Sequence, residues 1–178
     1  MNLKEILENR VSVRHYLDKD ISREDIMDIV AKATLTESWK NAQTARYHIV
    51  VDKEKLAEFR DKCLPEYNAK NCMNAPALIV TSFKSNRSGF ERDGSPSNEL
   101  GNGWGIYDAG LHNQTLILAA AEKNISSLVM GLRDEKAIRE MLNIEEDETI
   151  ISVISLGYAE KKSPRPKRKD ASDIVKFY

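Results

Sequence analysis

Apolar residues recur at helical spacing in several stretches of the chain, and each stretch predicts a helix that buries one face. The first of these helices ends near Asn9. A second begins after Ser22, because Asp25 three residues on completes a pattern typical of a helix start. The apolar face of this second helix consists of Ile26, Ile29, Val30 and Ala33. Two further helices are predicted, over residues 53–62 and 134–142.

Four shorter apolar runs predict strands, over residues 47–51, 77–81, 126–130 and 150–156. The run Asn74-Ala75-Pro76 ends any helix before the second strand, because the residue before a proline disfavours helical backbone. Helices and strands alternate without the regular repeat of a parallel βαβ protein. The pattern therefore predicts an α+β sandwich, in which a small sheet has helices packed on it.

The stretch 84–105 is polar and rich in Gly, Ser and Asn, which predicts a long loop or lid. Residues 106–123 predict a helix with apolar side chains on nearly all sides, which belongs in a core or in a subunit interface. A tail follows over residues 159–178, and its last apolar residues need a surface to cover them. With no internal repeat or linker, residues 1–178 are expected to form one domain.

Composition narrows the classes of protein that fit this chain. Its 178 residues suffice for one domain with a substantial core. The 27 basic and 28 acidic side chains nearly balance, which disfavours a surface built to bind nucleic acid or acidic membranes. The longest apolar run, residues 116–121, is too short to span a bilayer, and the start lacks the apolar stretch of a signal peptide. Cys63 and Cys72 are expected to be free thiols in a reducing cytoplasm.

Arg10, Ser12 and Arg14 alternate along the segment that follows the first helix. On extended backbone, residues two apart point to the same side, so these three side chains form one polar face. Arginine donates paired hydrogen bonds to phosphate oxygens, and this set therefore suits a phosphate dianion. A solvated strand edge explains the same pattern.

Polar side chains also gather between the second helix and the first strand. Ser38, Trp39, Asn41 and Gln43 offer a hydroxyl, an indole and two amides, and amides can pair with both carbonyl and N–H groups of a heteroaromatic ring. An ordinary polar loop is the alternative interpretation.

A glycine marks the end of the third predicted strand, in the run Met130-Gly131-Leu132. Glycine there lets the backbone approach a planar ligand closely, with an N–H group free to donate. A plain turn glycine would give the same sequence.

A basic run, residues 161–169, follows the last predicted strand. Pro164 and Pro166 restrict its backbone, so that an arginine such as Arg165 or Arg168 can be aimed at one place. The alternatives are a solvated basic tail and a nucleic-acid contact.

Two other classes of site find no support in the sequence. The glycines Gly101, Gly103 and Gly105 follow no strand, so they do not form a dinucleotide-binding fingerprint. The three histidines are scattered along the chain without metal-ligand spacing, and no metal site is expected.

Taken in this order, the segments resemble the nitroreductase family of FMN-dependent enzymes. The resembling segments are Arg10-x-Ser12-x-Arg14, Ser38-x-x-Asn41-x-Gln43, Asn74-Ala75-Pro76, the helix from Trp104 with Asp108-Ala109-Gly110, the strand and turn from Ser127 to Gly131, Leu156-Gly157-Tyr158 and Pro166-Lys167-Arg168. Thr44-Ala45 stands in place of the family's Pro-Trp, and Met130 stands where some members carry Glu.

The resemblance implies a fold and a reaction. The fold would be a dimeric, nitroreductase-like three-layer α+β sandwich with a small, mostly antiparallel sheet flanked by helices. NADH or NADPH would reduce FMN, which would pass the electrons to a small nitroaromatic, quinone or enone acceptor in a ping-pong cycle. The expected form is a cytoplasmic homodimer without nucleic-acid or membrane partners. A non-enzymatic flavin-binding or sensing domain is the alternative.

The resemblance also assigns roles to residues, none of them that of a catalytic acid or base. The phosphate would be held by the arginines and Ser12, and the Gly131 N–H group would lie near flavin N5. Ser38, Trp39 and Asn41 would reach the ring or ribityl chain from the other subunit. The expected flavin contacts are Arg10, Val11, Ser12, Arg14, Ser38, Trp39, Asn41, Asn68, Met130, Gly131 and Arg168.

Overall fold

The computed structural model describes residues 2–161 and 163–178, so Met1 and Lys162 of the basic run lie outside the described residues. The helices are α1 Leu3–Asn9, α2 Arg23–Ala33, α3 Lys53–Cys63, α4 Glu66–Asn71, α5 Gly103–Glu122 and α6 Glu135–Leu142. The strands are β1 Ala45–Val50, β2 Ala77–Lys84, β3 Ser126–Met130 and β4 Glu148–Gly157. Short 3₁₀ turns occupy Trp39–Asn41 and Ala171–Asp173.

The four strands form one sheet in the order β1-β2-β4-β3, and every neighbouring pair is antiparallel. The central strand β2 is buried on both faces, since Leu78 and Val80 pack on one side and Ala77 and Ile79 on the other. Helices α3, α4 and α6 cover the first face, and α2 and α5 cover the second. The α+β sandwich with its antiparallel sheet is therefore confirmed.

The predicted helix starts and apolar faces explain how these layers form. The Ser22 hydroxyl accepts a hydrogen bond of 3.0 Å from the Asp25 N–H, which confirms this residue as the cap of α2. The apolar face of α2 then packs against α5, with Ile29 and Ala33 fully buried.

The structure differs from the sequence-based elements mainly at their ends. β2 continues beyond residue 81 to Lys84, because the polar Ser82 is buried and donates to the Glu148 carboxylate on β4. α5 begins at Gly103, three residues before the predicted start, so the predicted 84–105 loop shortens to residues 85–102. Helix α4 was not predicted, since its six residues contain no apolar periodicity.

The 85–102 loop is held by hydrogen bonds of its own. The Asn86 N–H donates to Asn102 Oδ1 at 2.7 Å, and the Ser97 N–H donates to the Gly89 carbonyl at 2.8 Å. Gly89 has a φ of +82°, and a Cβ there would lie 2.6 Å from the Trp104 ring. This loop therefore has a defined shape that requires glycine at one position.

Helix α5 is the longest helix, and it is not uniformly apolar. It buries the polar Asp108 and His112, while Ile106 and Tyr107 remain more than half exposed. Across residues 2–161 and 163–178, no helix is both long enough and apolar enough to cross a membrane.

Both cysteines are free, as predicted, and the structure shows that both are buried. Burial raises the pKa of Cys63 and of Cys72 to about 11, so both remain neutral thiols at physiological pH.

Candidate functional site

The segment that carries Arg10, Ser12 and Arg14 is extended and runs beside the edge strand β3. The Val13 N–H donates to the Ser127 carbonyl at 3.1 Å, and Ser12 bridges Ser127 in parallel orientation. Val13 is buried, Arg10 and Ser12 are partly buried, and Arg14 is exposed. The alternation expected of an extended segment is therefore present, with the polar side chains away from the core.

Two arginines of the tail lie close to Arg10. Burial, and then the charges of Arg168 and Arg165, lower the pKa of Arg10. In the part of the chain that the structure describes, none of these three guanidinium groups has a carboxylate within 4.0 Å. Like charges that are gathered without a counter-charge fit a bound anion such as a phosphate, and we call these three residues the arginine cluster.

At the turn after β3, backbone groups rather than side chains are accessible to a ligand. Met130 is 3% exposed and packs in the core, so that only its peptide groups can meet a ligand. A Cβ built at Gly131 meets no atom within 4 Å, so the space in front of this residue is open. Asn68 is buried behind the turn, and its Nδ2 donates to the Leu132 carbonyl at 2.8 Å.

The segment 38–43 is folded tightly on itself. The Gln43 N–H donates to the Ser38 hydroxyl at 3.0 Å. Lys40, Asn41 and Gln43 have φ values of 45°, 55° and 50°, a left-handed conformation that is uncommon for residues with a side chain. Such backbone persists only where its surroundings hold it, and it is concentrated at functional sites.

Trp39 of this segment packs against Trp104 in the first turn of α5. The rings of Trp39 and Trp104 lie with their centroids 4.5 Å apart. The Trp39 Nε1 is buried and has no hydrogen-bond partner among the described residues. Asn41 is exposed.

Asp108 on α5 anchors the segment 38–43, and sequence reasoning did not assign it a role in the site. Its Oδ2 accepts hydrogen bonds from the Trp39 N–H at 3.0 Å and from the Ser88 hydroxyl at 2.6 Å. Besides its place in a segment that resembles the family, the sequence signal was an acidic residue in a helix whose other positions are largely apolar.

The two groups of predicted site residues lie at opposite ends of α5. Asp108 holds the segment 38–43, whereas Ala121 lines the same groove as Arg10. Ala121 lies thirteen positions beyond Asp108 along α5, which corresponds to a rise of about 20 Å. Within one chain, therefore, the arginine cluster and the segment 38–43 do not come together.

Comparison with known proteins shows matches over most of the chain. A sequence model of the nitroreductase family matches residues 7–71 and 62–158. A protein of Archaeoglobus fulgidus, provisionally named NADH dehydrogenase/NAD(P)H nitroreductase, is 33% identical over 158 residues, which cover 84% of this chain and 80% of that protein.

Solved structures share the fold at lower identity. A nitroreductase family protein from Streptococcus pneumoniae superimposes with a TM-score of 0.84 at 21% identity, over 99% of this chain and 100% of that one. A provisionally named nitroreductase from Exiguobacterium sibiricum, solved in complex with FMN, gives a TM-score of 0.82 at 21% identity, over 100% and 98% of the two chains. The chain belongs to the nitroreductase family.

Proposed function

We propose that this protein is an FMN-dependent oxidoreductase that transfers electrons from NADH or NADPH to a small organic acceptor. The observation that carries the proposal is the arginine cluster on and around the segment that pairs with β3, because it supplies a site for a phosphate, while the turn at the end of β3 leaves backbone open to a planar ring. The related protein named as an NAD(P)H nitroreductase supports the donor, and the FMN complex of one structural relative supports the cofactor.

The residues present fit FMN in their chemistry. Arg10 and Arg168, with Ser12 and Arg14 on the same segment, would hold the phosphate through charge-assisted hydrogen bonds. The backbone of Val11 and Met130 and the open turn at Gly131 would border the ring, with the Gly131 N–H directed to N5. Asn68 would support the turn from behind, through its hydrogen bond to the Leu132 carbonyl. When bound, FMN supplies the redox chemistry, accepting a hydride from NAD(P)H and passing two electrons to the acceptor.

A complete site requires a second copy of the chain. Because about 20 Å of helix separates the two groups of site residues, Ser38, Trp39 and Asn41 would meet the arginine cluster of the other subunit. Exposed apolar residues are available to form such an interface and are typical of one. They are Ile106, Tyr107, Leu132, Ile174, Phe177 and Tyr178.

Donor and acceptor would use the same open face of the ring in turn, which is a ping-pong cycle. The proposed acceptor is a nitroaromatic, a quinone or an enone, and the name NAD(P)H nitroreductase of a relative supports the first of these. The two free buried thiols are typical of proteins in a reducing compartment and support a cytoplasmic location.

The test is a visible spectrum of the purified protein, followed by mass analysis of the cofactor released on denaturation. We expect a yellow protein that releases FMN and is bleached by NADH or NADPH without oxygen. Release of FAD, or no flavin after incubation with FMN, would contradict the proposal. FMN that is bound but never reduced by either donor would favour the non-enzymatic flavin-binding domain.

A further inference from the structure

The turn that follows β3 has both of its carbonyl groups occupied by side chains from behind. Arg133 Nη1 donates to the Gly131 carbonyl at 3.1 Å. Asn68 Nδ2 donates to the Leu132 carbonyl at 2.8 Å. Arg133 also donates through Nη2 to the Ile150 carbonyl of β4, so it ties the turn to the sheet.

The N–H groups of the same turn are free. Gly131 and Leu132 are both exposed, and their N–H groups find no hydrogen-bond acceptor within residues 2–161 and 163–178. One peptide unit joins these observations, because the carbonyl of Gly131 and the N–H of Leu132 belong to it. A cationic donor on the carbonyl polarises this unit and makes its N–H a stronger donor on the opposite side.

The charge of Arg133 is not balanced nearby. No carboxylate of the described residues lies within 4.0 Å of its guanidinium group, and its Nε is buried without an acceptor. The adjacent Asp134 caps α6 instead, accepting from the Ala137 N–H at 2.9 Å. A positive charge without a counter-charge therefore stands directly behind the open turn.

We propose that Arg133 is a positioning residue for the flavin. Arg133 fixes and polarises the Gly131–Leu132 peptide, and its positive charge favours the reduced form of the cofactor. The inference rests on the proposed function, since it requires FMN at this turn. Reduced flavin is the more electron-rich form, so that donors and positive charge at its site stabilise it relative to the oxidised form.

The test compares two substitutions of Arg133 with matched changes at Arg139. Arg139 also donates to backbone carbonyls, those of Glu145 and Glu148, but Glu135 balances its charge. R133M removes charge and hydrogen bonds, whereas R133K keeps the charge and loses the paired geometry. R139M and R139K are the controls. For each FMN-loaded protein, the midpoint potential is titrated anaerobically against a reference dye, and the Kd of sulfite, which adds to oxidised flavin, is read from bleaching.

We expect R133M to lower the equilibrium constant for two-electron reduction about tenfold, which corresponds to ~30 mV for a two-electron couple. The Kd of sulfite should rise in parallel, R133K should show a smaller shift, and the Arg139 variants should match the wild type. An unchanged potential and sulfite Kd in R133M, or an equal shift in R139M, would overturn the inference.

Two further outcomes keep the inference separate from its premise. If R133M does not fold, R133K decides: a higher sulfite Kd than in R139K supports the inference, and an equal one overturns it. A wild-type protein that binds no FMN overturns the proposed function itself, whereas normal FMN binding with unchanged Arg133 variants overturns only the role of Arg133.

Discussion

At the scale of single residues, FMN binding should depend most on the arginine cluster. Removing one charge-assisted contact to a largely desolvated phosphate costs about 1.5–3 kcal/mol, or roughly tenfold or more in affinity. We therefore expect Arg10→Ala and Arg168→Ala each to raise the Kd of FMN by about that factor, measured by quenching of flavin fluorescence. Arg165→Ala should have a smaller effect, because Arg168 acts more strongly than Arg165 on Arg10.

The matched control is Arg87→Ala, since Arg87 is an exposed arginine of the 85–102 loop. Its substitution should leave the Kd of FMN unchanged. Equal losses for Arg165→Ala and Arg168→Ala would mean that the tail presents both arginines to the phosphate.

A second residue-scale feature is the buried carboxylate of Glu148. His48 Nε2 lies 2.7 Å and the Ser82 hydroxyl 2.6 Å from its Oε2, and its side chain is only 6% exposed. Burial raises the pKa of Glu148, but the hydrogen bonds from Ser82 and His48 and the charges of His48 and Lys84 outweigh burial and lower it overall.

This lowered pKa predicts how stability depends on pH. A carboxyl group whose pKa is lower in the folded state than in the unfolded state stabilises the fold fully at pH values above its unfolded pKa, which is about 4.3 for Glu. That stabilisation is lost as the pH falls through the lower, folded pKa. Glu148→Gln should therefore cost about 1–3 kcal/mol of unfolding free energy at pH 7, with the difference shrinking below about pH 4. Urea denaturation between pH 3 and pH 8 measures it, with the exposed neighbour Glu146→Gln as control. A pH-independent difference would contradict the prediction.

The local arrangement of the candidate site residues was predictable from sequence where they lie close together along the chain. The spacing of Arg10, Ser12 and Arg14 indicated an extended polar face, and the structure has it. Asp108 and Arg133 were not predictable, because their importance comes from contacts with backbone that the sequence does not reveal: Trp39 lies 69 residues from Asp108, and Ile150 lies 17 residues from Arg133.

At the scale of elements, one glycine sets how closely α5 approaches the sheet. A Cβ at Gly105 would overlap the ring of Phe83 on β2, whereas a Cβ at Gly103 would lie 3.5 Å from Leu100 Cβ, an ordinary contact. Phe83 is 1% exposed, so its ring has no free space into which to move.

Gly105→Ala should therefore destabilise the protein by about 1–3 kcal/mol, although alanine favours helix. Gly103→Ala, in the same first turn of α5, should change stability by less than about 1 kcal/mol. Thermal unfolding of the two variants tests the contrast. Equal stabilities would show that α5 can shift away from Phe83.

Helices and strands could be predicted from the sequence where their apolar residues are periodic. α2 and β2 carry strong patterns, and the sequence located both. The first turn of α5 contains Gly103 and Gly105, which disfavour helix, yet Trp104 packs on Trp39 and the turn remains helical. Tertiary contacts thus override local propensity at the helix start, as they commonly do.

At the scale of the whole molecule, the proposed sharing of the site between subunits predicts what fraction of sites regains activity when two inactive variants are mixed. One variant is inactivated in the arginine cluster, by Arg10→Ala with Arg168→Ala, and another in the segment 38–43, at Asn41. Random exchange of equal amounts makes about half of the dimers mixed, and each mixed dimer has one site with both lesions and one with none. About a quarter of all sites should therefore regain activity, by the same pairing.

Native mass spectrometry shows independently that the subunits have exchanged. A control mixture uses two variants that both carry lesions in the arginine cluster, and it should regain nothing. Exchanged dimers without recovered activity would mean that each chain supplies a complete site.

The strand order also has a consequence for how the chain folds during synthesis. β4 pairs with both β2 and β3, yet it comes after both along the chain. At 5–20 residues per second, the ribosome needs roughly 4–15 s to proceed from the end of β2 to the end of β4. The segment before α2 waits about twice as long, since Tyr16 bridges Ala159. Throughout that interval the apolar β2 has an unpaired edge, so the nascent chain depends on shielding against aggregation.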